Sequence, residues 1–191
     1  MKKSTILALA LALAMACSSV FAANGTYQVD AHHTFARFEY NHWGLTNVGG
    51  RFDRTSGKIK IDTDKQLGSA EIVIDATSVS MGSDEFNEDI QSEDFFDTKK
   101  YPTIVFHSTR FNFESDKLIS VDGNLTIKGM SKPVTLVLSS FLCKPHPLFK
   151  KDYCGANASA KIRRSDFGAG KFAPFVGDEV TLNIALEAAK E

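Results

Sequence analysis

The stretch TFARFEY, residues 34–40, alternates apolar and charged side chains over most of its length. Ala36, Phe38 and Tyr40 occupy alternate positions, and the two residues between them are charged. Because successive side chains of a β-strand point to opposite faces, this period of two predicts a strand with one buried and one solvated face. The stretch therefore predicts a sheet whose apolar side encloses a core.

The same period recurs along the chain, which predicts an all-β fold. The further predicted strands are residues 58–62, 71–75, 103–108, 117–128, 133–142, 155–164 and 179–187. The turn-forming residues between strands include Gly49-Gly50, Ser115-Asp116, and Gly129 before Lys132-Pro133. About eight strands at hairpin spacing favour antiparallel pairing, which leaves a sandwich or a closed barrel as the alternatives.

Residues 83–96 depart from the period of two. This segment combines several acids with Phe86, Ile90 and Phe95 at irregular helical spacing. We predict one short helix here, between two strands. Asp84 is the expected N-cap, because carboxylates are favoured at the positive end of the helix dipole.

The first 22 residues have the order typical of a cleavable secretory signal peptide. Lys2 and Lys3 precede an apolar run over residues 6–15, and residues 20–22 (Val-Phe-Ala) place small residues at the two positions that signal peptidase reads. The apolar run is about ten residues, shorter than the roughly 20 that span a bilayer. We expect a periplasmic or secreted protein with a single domain at residues 23–191 and no stable membrane insertion.

The remaining cysteines are expected to form a structural disulfide. Cys143 and Cys154 follow the predicted signal peptide, and cysteine pairs in exported proteins are usually oxidised. Their spacing fits neither a C-x-x-C redox motif nor a zinc site. Cys17 follows residues 14–16 (Ala-Met-Ala) in a weak likeness of a lipoprotein cleavage box, so lipidation at Cys17 is an alternative to its removal with the signal peptide.

The charge balance argues against a nucleic-acid partner. Beyond residue 22 the chain carries 20 Lys and Arg, the total of 22 less Lys2 and Lys3, against 23 Asp and Glu. Recognition of nucleic acid requires a basic patch, which this composition does not supply.

A set of short motifs follows in a fixed order along the chain. They are SEDFFD (92–97), YP (101–102), FHS (106–108), DGNLTIKG (122–129), KPVTL (132–136) and RSDFG (164–168). Taken together, the set resembles the YceI-like polyisoprenoid-binding family, and the resemblance extends over residues 26–188.

The resemblance implies an extended, eight-stranded, antiparallel, lipocalin-like barrel with one helix beside it. It also implies a long apolar tunnel that holds an isoprenoid or fatty chain, and a protein that is not an enzyme. The helix departs from the family pattern, because Phe86, Asn87 and Asp89 stand where relatives often carry Arg and His. A ligand head group is therefore not expected to be bound here as it is in those relatives.

Apolar and aromatic side chains are the candidates for the wall of such a tunnel. An isoprenoid tail forms almost no hydrogen bonds, so its binding depends on apolar area removed from water. Tyr40 and Trp43 suit the tunnel mouth, and His42 is the candidate to meet a head group. The alternative for each residue is ordinary core or structural packing. The predicted ligand-binding residues are Phe38, Tyr40, His42, Trp43, Phe52, Met81, Phe86, Ile90, Phe95, Phe96, Phe106 and Leu125.

These observations predict a non-catalytic carrier of a long-chain isoprenoid lipid with a polyprenyl or quinone tail, and no cofactor beyond such a lipid. One alternative is an enzyme that acts on a lipid-like substrate through His42 or an acid of the helix. A metal- or haem-binding module and a surface adhesion protein with a solid core are the others. The sequence predicts no oligomeric state.

The histidines and acids give these alternatives little support. The spacing of His32, His33, His42 and His107 fits no metal-binding motif. Adjacent residues of a regular strand point to opposite faces, so His32 and His33 are not expected to share a site, and we predict no metal ligands. The acids at 93, 94 and 97 are expected to cap the helix and face solvent rather than to form a catalytic pair.

Overall fold

The computed structural model describes residues 23–191, so the predicted signal peptide and Cys17 lie outside the described residues. Nearly all of this range is β-structure, with one α-helix, α1 (Asp84–Gln91), between two strands. The strands are β1 (Asn24–Val29), β2 (Phe35–His42), β3 (Thr46–Phe52), β4 (Thr55–Asp62), β5 (Leu67–Asp75), β6 (Val79–Ser80), β7 (Thr103–Glu114), β8 (Lys117–Ile127), β9 (Met130–Pro145), β10 (Asp152–Arg163) and β11 (Val176–Lys190).

Three pairs of consecutive segments act as single bent strands, so the segments build an eight-stranded antiparallel barrel. β1 pairs with β4 and β2 pairs with β3, so the first two bent strands form one long hairpin. β5 and β6 continue the ladder against β4 and β3. The barrel closes because β11 bonds to β2 with its first half and to β1 with its last residues. The predicted all-β, eight-stranded barrel with one helix is confirmed.

The barrel has two ends that differ in structure. The mouth end comprises the β2–β3 turn, residues 81–102 with α1, the β8–β9 turn and residues 164–175. The closed end comprises the β4–β5 and β7–β8 turns and the loop at 146–151 between β9 and β10. Residues of the helix and of the long connections therefore gather at one end of the barrel.

The predicted turn at Gly49-Gly50 is wrong, because both residues lie within β3. A side chain at Gly50 would have its Cβ 2.4 Å from the Met81 Sδ and 2.8 Å from the Phe38 ring. The glycine thus makes room for two neighbouring side chains in the middle of a strand. Lys132-Pro133, also predicted as part of a turn, lies within β9, whereas Gly129 and Ser115-Asp116 are in turns as predicted.

The N-cap of the helix lies one residue earlier than predicted, and the helix is shorter than the segment 83–96 that was predicted to contain it. Ser83, not Asp84, is the N-cap, and its hydroxyl accepts a hydrogen bond from the Phe86 amide. The helix ends at Gln91, and the chain then turns back so that the Phe96 amide donates to the Ile90 carbonyl. Among residues 23–191, α1 included, no helix has the length and apolar character needed to cross a membrane.

The structure joins Cys143 and Cys154 in a disulfide near the closed end. The two residues are direct cross-strand partners in β9 and β10, and both are buried. The bridge therefore pins the register of two long strands where they approach the exposed loop between them.

Removal of this bridge is expected to destabilise the barrel without opening the mouth end. The double substitution Cys143→Ala and Cys154→Ala should lower the free energy of unfolding by about 3 kcal/mol, because an 11-residue loop is no longer constrained in the unfolded chain. Urea unfolding measures this loss. Dithiothreitol should lower the free energy of unfolding of the parent protein by the same amount and leave that of the variant unchanged. A parent protein whose stability does not respond to the reductant would contradict the expectation.

Candidate ligand-binding cavity

The barrel encloses a cavity of about 430 Å³. Alternate residues of the strands form its wall, as Val134, Leu136 and Leu138 do in β9. Such alternation follows from the pleat, which sends every second side chain to the inner face. Every strand except β6 contributes a lining residue. The wall is therefore almost entirely aliphatic and aromatic.

The cavity opens at the mouth end. Its lining residues there, Trp43, Phe86 and Phe172, are exposed to solvent. Its lining residues towards the closed end, such as Tyr27 and Leu118, are buried. A ligand would therefore enter past the helix and the aromatic side chains beside it.

Eleven of the twelve predicted ligand-binding residues line the cavity. Met81 is the exception, since it follows β6 and its thioether covers Gly50 beside the Phe38 ring. The lining members are Phe38, Tyr40, His42, Trp43, Phe52, Phe86, Ile90, Phe95, Phe96, Phe106 and Leu125. The structure brings these residues to one wall, and their contact with a ligand stays a prediction.

The aliphatic part of the wall was missed among the predicted site residues. Ile72 and Ile74 in β5 and Leu182, Ile184 and Leu186 in β11 all line the cavity. The period of two that predicted these strands also marks these inward positions, so the signal was present in the sequence. The predicted set consisted mainly of aromatic residues, with Ile90 and Leu125 as its aliphatic wall members, and so left them out.

Three phenylalanines of the cavity wall pack together where the segment that follows α1 meets β2 and β3. The Phe96 ring centroid lies 6.0 Å from that of Phe38 and 5.4 Å from that of Phe52, both nearly edge to face. Phe38 and Phe52 are themselves 5.6 Å apart. Edge-to-face pairs are favourable because the ring edge is positive and the face negative. This cluster therefore attaches the helical segment to β2 and β3.

Arg164 is the charged side chain most deeply buried at the mouth end. Its Nε donates to the Gly177 carbonyl at 2.8 Å and its Nη2 to the Val176 carbonyl at 2.7 Å. Its Nη1 donates to the carbonyls of Ala169 and Lys171. One guanidinium thus fixes the whole segment that connects β10 to β11, and it also lines the cavity.

The charges near Arg164 suit a structural role. Burial lowers the pKa of Arg164 from its ordinary value, while the nearby Asp178 and Tyr40 oppose that shift. Burial raises the pKa of the Tyr40 phenol, with Arg164 acting in the opposite direction. Tyr40 therefore presents a neutral phenol to the cavity at physiological pH.

Two lysines connect the helical segment to the β10–β11 segment. Lys171 forms an ion pair with Asp94. The Lys128 ammonium donates to the Glu93 carbonyl at 2.8 Å and to the Gly168 carbonyl at 3.0 Å. The carboxylate of Asp94 and the backbone of Glu93 thus join segments of the mouth end that are distant in sequence.

Among the described residues, the histidines do not converge on one site. His42 lines the cavity with its ring edge-on to Trp43, whereas His32, His33 and His107 are not in the cavity wall. The described residues contain one group able to hold a metal, formed by Asp30, His33 and Glu187 at the β1–β2 corner. Within it, the Asp30 carboxylate and the His33 ring are 2.8 Å apart, and this pairing raises the pKa of His33.

Comparison with known proteins decides the family. The family model for the YceI-like domain matches residues 27–188. The chain belongs to the YceI-like family. A UPF0312 protein of Pseudomonas putida is 31% identical over 194 residues, which cover all of both chains. This YceI-like chain also resembles the crystal structure of Burkholderia cenocepacia BcnA, with 27% identity, a TM-score of 0.73, and coverage of 84% of this chain and 99% of that one.

A more distant relative in sequence has the same fold. A polyisoprenoid-binding domain from Saccharophagus degradans, implicated in plant cell wall breakdown, superposes with a TM-score of 0.63 at 18% identity. The alignment covers 86% of this YceI-like chain and 98% of that domain. At this identity the match reports the shared barrel alone.

Substitution of Arg164 tests its role at the mouth end. Arg164→Met should lower the free energy of unfolding by about 2–4 kcal/mol, because several buried carbonyls lose their donor. The matched control is Arg163→Met, which removes an exposed surface pair with Asp166 and should cost less than about 0.5 kcal/mol. Urea unfolding compares the two variants, and equal losses would refute the assigned role.

Proposed function

We propose that this YceI-like protein is a non-catalytic carrier that binds a long-chain isoprenoid lipid, with a polyprenyl or quinone tail, inside the barrel. The observation that carries the proposal is the cavity wall, which is aliphatic and aromatic over nearly its whole area. Such a wall suits a ligand that has little hydrogen-bonding capacity and a long apolar chain.

The magnitude of the apolar contribution supports a chain of several isoprene units. Burial of one CH₂ group contributes about 0.8 kcal/mol, so a five-carbon unit contributes on the order of 3–4 kcal/mol before the cost of ordering the chain. Two or three enclosed units contribute roughly 6–12 kcal/mol, which is comparable with the cost of association, so stable binding without a head-group contact requires several enclosed units. The relative from Saccharophagus degradans, described as polyisoprenoid-binding, supports this class of ligand.

The mouth end suits the polar end of such a lipid. Tyr40, His42 and Asp89 line the cavity at this end and present hydrogen-bonding groups to it. The apolar wall extends from there towards the closed end, where Tyr27 and Leu118 lie. We therefore place the head group at the mouth and the tail in the barrel.

The proposed site of action is the periplasm or the extracellular medium. The order of basic, apolar and small residues at positions 1–22 supports export. The Cys143–Cys154 disulfide is in keeping with an oxidising compartment. A lipid tail outside the cytoplasm must be shielded from water while it moves through an aqueous compartment, and the cavity would provide that shield.

The absence of catalysis belongs to the proposal and is supported by the partners that Asp94 and Arg164 already have. Asp94 is paired with Lys171, and the donors of Arg164 are bound to backbone carbonyls. Turnover of a lipid substrate by the purified protein, abolished by His42→Ala, would instead identify an enzyme. Bound haem or metal in the purified protein would identify the other alternative.

Organic extraction followed by mass spectrometry tests the carrier directly. Protein purified from its native compartment should release an isoprenoid lipid in a defined molar ratio. Ala158→Trp should reduce that ratio by about tenfold or more, since Ala158 lines the cavity and a loss of 1.4 kcal/mol is already a factor of ten.

The matched control for this experiment is Ser159→Trp. Ser159 is the next residue of β10 and is exposed, so it presents the same large side chain to solvent. This variant should retain the parent's lipid content. Extracts without isoprenoid lipid, or an equal loss in both variants, would refute the proposed function.

A further inference from the structure

Large apolar side chains are exposed around the mouth of the barrel. We call this set the aromatic rim; it consists of Trp43, Leu45, Phe86, Phe172 and Phe175. Its members come from the β2–β3 turn, from α1 and from the segment before β11. Exposed apolar residues that occur singly need no explanation, whereas a contiguous patch marks a surface of contact.

The aromatic rim is continuous with the interior of the barrel. Trp43, Phe86 and Phe172 line the cavity and are also exposed at its mouth. Leu45 and Phe175 extend the apolar surface outwards and do not line the cavity. When the rim contacts an apolar phase, a lipid from that phase would thus move into the cavity along continuous apolar side chains.

The backbone holds the rim in place. The Trp43 amide donates to the Phe175 carbonyl at 3.1 Å, and the two rings are stacked with centroids 5.6 Å apart. Trp43 and Phe172 have φ angles of 56° and 65°, in a region where bulky residues are uncommon. Aromatic side chains thus occupy positions whose backbone would be less strained with glycine, which indicates that the rings themselves are required.

The charges beside the rim indicate the net charge of the surface that the rim can contact. The helix α1 carries four acidic residues and no basic one, and it supplies Phe86 to the rim. Lys171, next to Phe172, is paired with Asp94. The mouth-end segment at residues 81–102 carries seven acidic residues against Lys99 and Lys100, so it would repel an anionic surface. The charge therefore favours contact by apolar insertion into a surface of little net charge. Tryptophan suits the boundary between headgroups and acyl chains.

We propose that the aromatic rim docks the barrel on a phospholipid bilayer of low net charge, and that lipid passes between the bilayer and the cavity through this contact. The proposal rests on the proposed carrier function and adds the surface from which the ligand is loaded. The protein lies on the bilayer with α1 and the β2–β3 turn facing the headgroups.

Vesicle binding tests the proposal with a matched pair of variants. Leu45 and Phe175, 80% and 66% exposed, lie in the rim, whereas Leu148 and Phe149, 79% and 59% exposed, lie at the closed end. The double substitution Leu45→Ser and Phe175→Ser should weaken co-sedimentation with phosphatidylcholine vesicles by about tenfold or more, because interfacial binding scales with buried apolar area. Leu148→Ser with Phe149→Ser should change it by less than about twofold.

The same vesicles test the charge argument. Addition of phosphatidylglycerol should not strengthen binding of the parent protein, and salt should not release it from phosphatidylcholine. The emission of Trp43, the single tryptophan of the chain, should shift to the blue on docking. Absence of binding by the parent protein, or equal losses in both double variants, would overturn the proposal.

A second readout separates this proposal from the carrier function. Calorimetric titration with a short-chain ubiquinone analogue without vesicles measures ligand binding in the cavity. The affinity should be the same in the parent and in the Leu45→Ser, Phe175→Ser variant, because neither residue lines the cavity. Loss of vesicle binding with this affinity retained supports docking by the rim. If neither protein binds the analogue while vesicle binding still depends on the rim, the carrier function fails and docking stands.

Discussion

Closure of the barrel through β11 is the constraint on which the rest of the structure depends. Ala185 pairs with Phe35 in β2, and three residues later Ala188 pairs with Val29 in β1, so one strand bonds to both halves of the bent first strand. Thr34 lies at the bend, and its hydroxyl bonds to the Glu187 backbone at 3.1 Å as both donor and acceptor. Without these bonds the sheet would have open edges, and the inward side chains would enclose no space.

Closure also determines how the barrel is filled. Side chains of the inner face leave a cavity instead of a solid core, partly because some rings lie against the wall. A Cβ at Gly123 would be 2.4 Å from the Phe106 ring, and one at Gly68 would be 2.3 Å from the Phe111 ring. Glycines on neighbouring strands thus let these rings pack along the sheet. At the mouth end, Arg164 holds the segment that borders the opening.

The sequence predicted those features that depend on local periodicity. The alternation at residues 34–40 gave β2 and its inward residues, and the ordered motifs gave the family and the number of strands. The sequence did not predict contacts between distant residues. Gly50 resembles a turn residue until the Met81 thioether is placed over it, and α1 ends at Gln91 because the chain folds back on Ile90. The Lys171–Asp94 pair joins residues 77 apart, which no local pattern reveals.

The central claim is that apolar area within the barrel provides the binding energy, and a ligand series of increasing chain length tests it most directly. Calorimetry should compare prenols of one to five isoprene units with the matching hydrocarbons. Affinity should rise with each unit until the cavity of about 430 Å³ is filled and then level off, and the hydrocarbons should follow the same trend. Affinity that is independent of chain length, or binding that requires the hydroxyl group, would contradict the account.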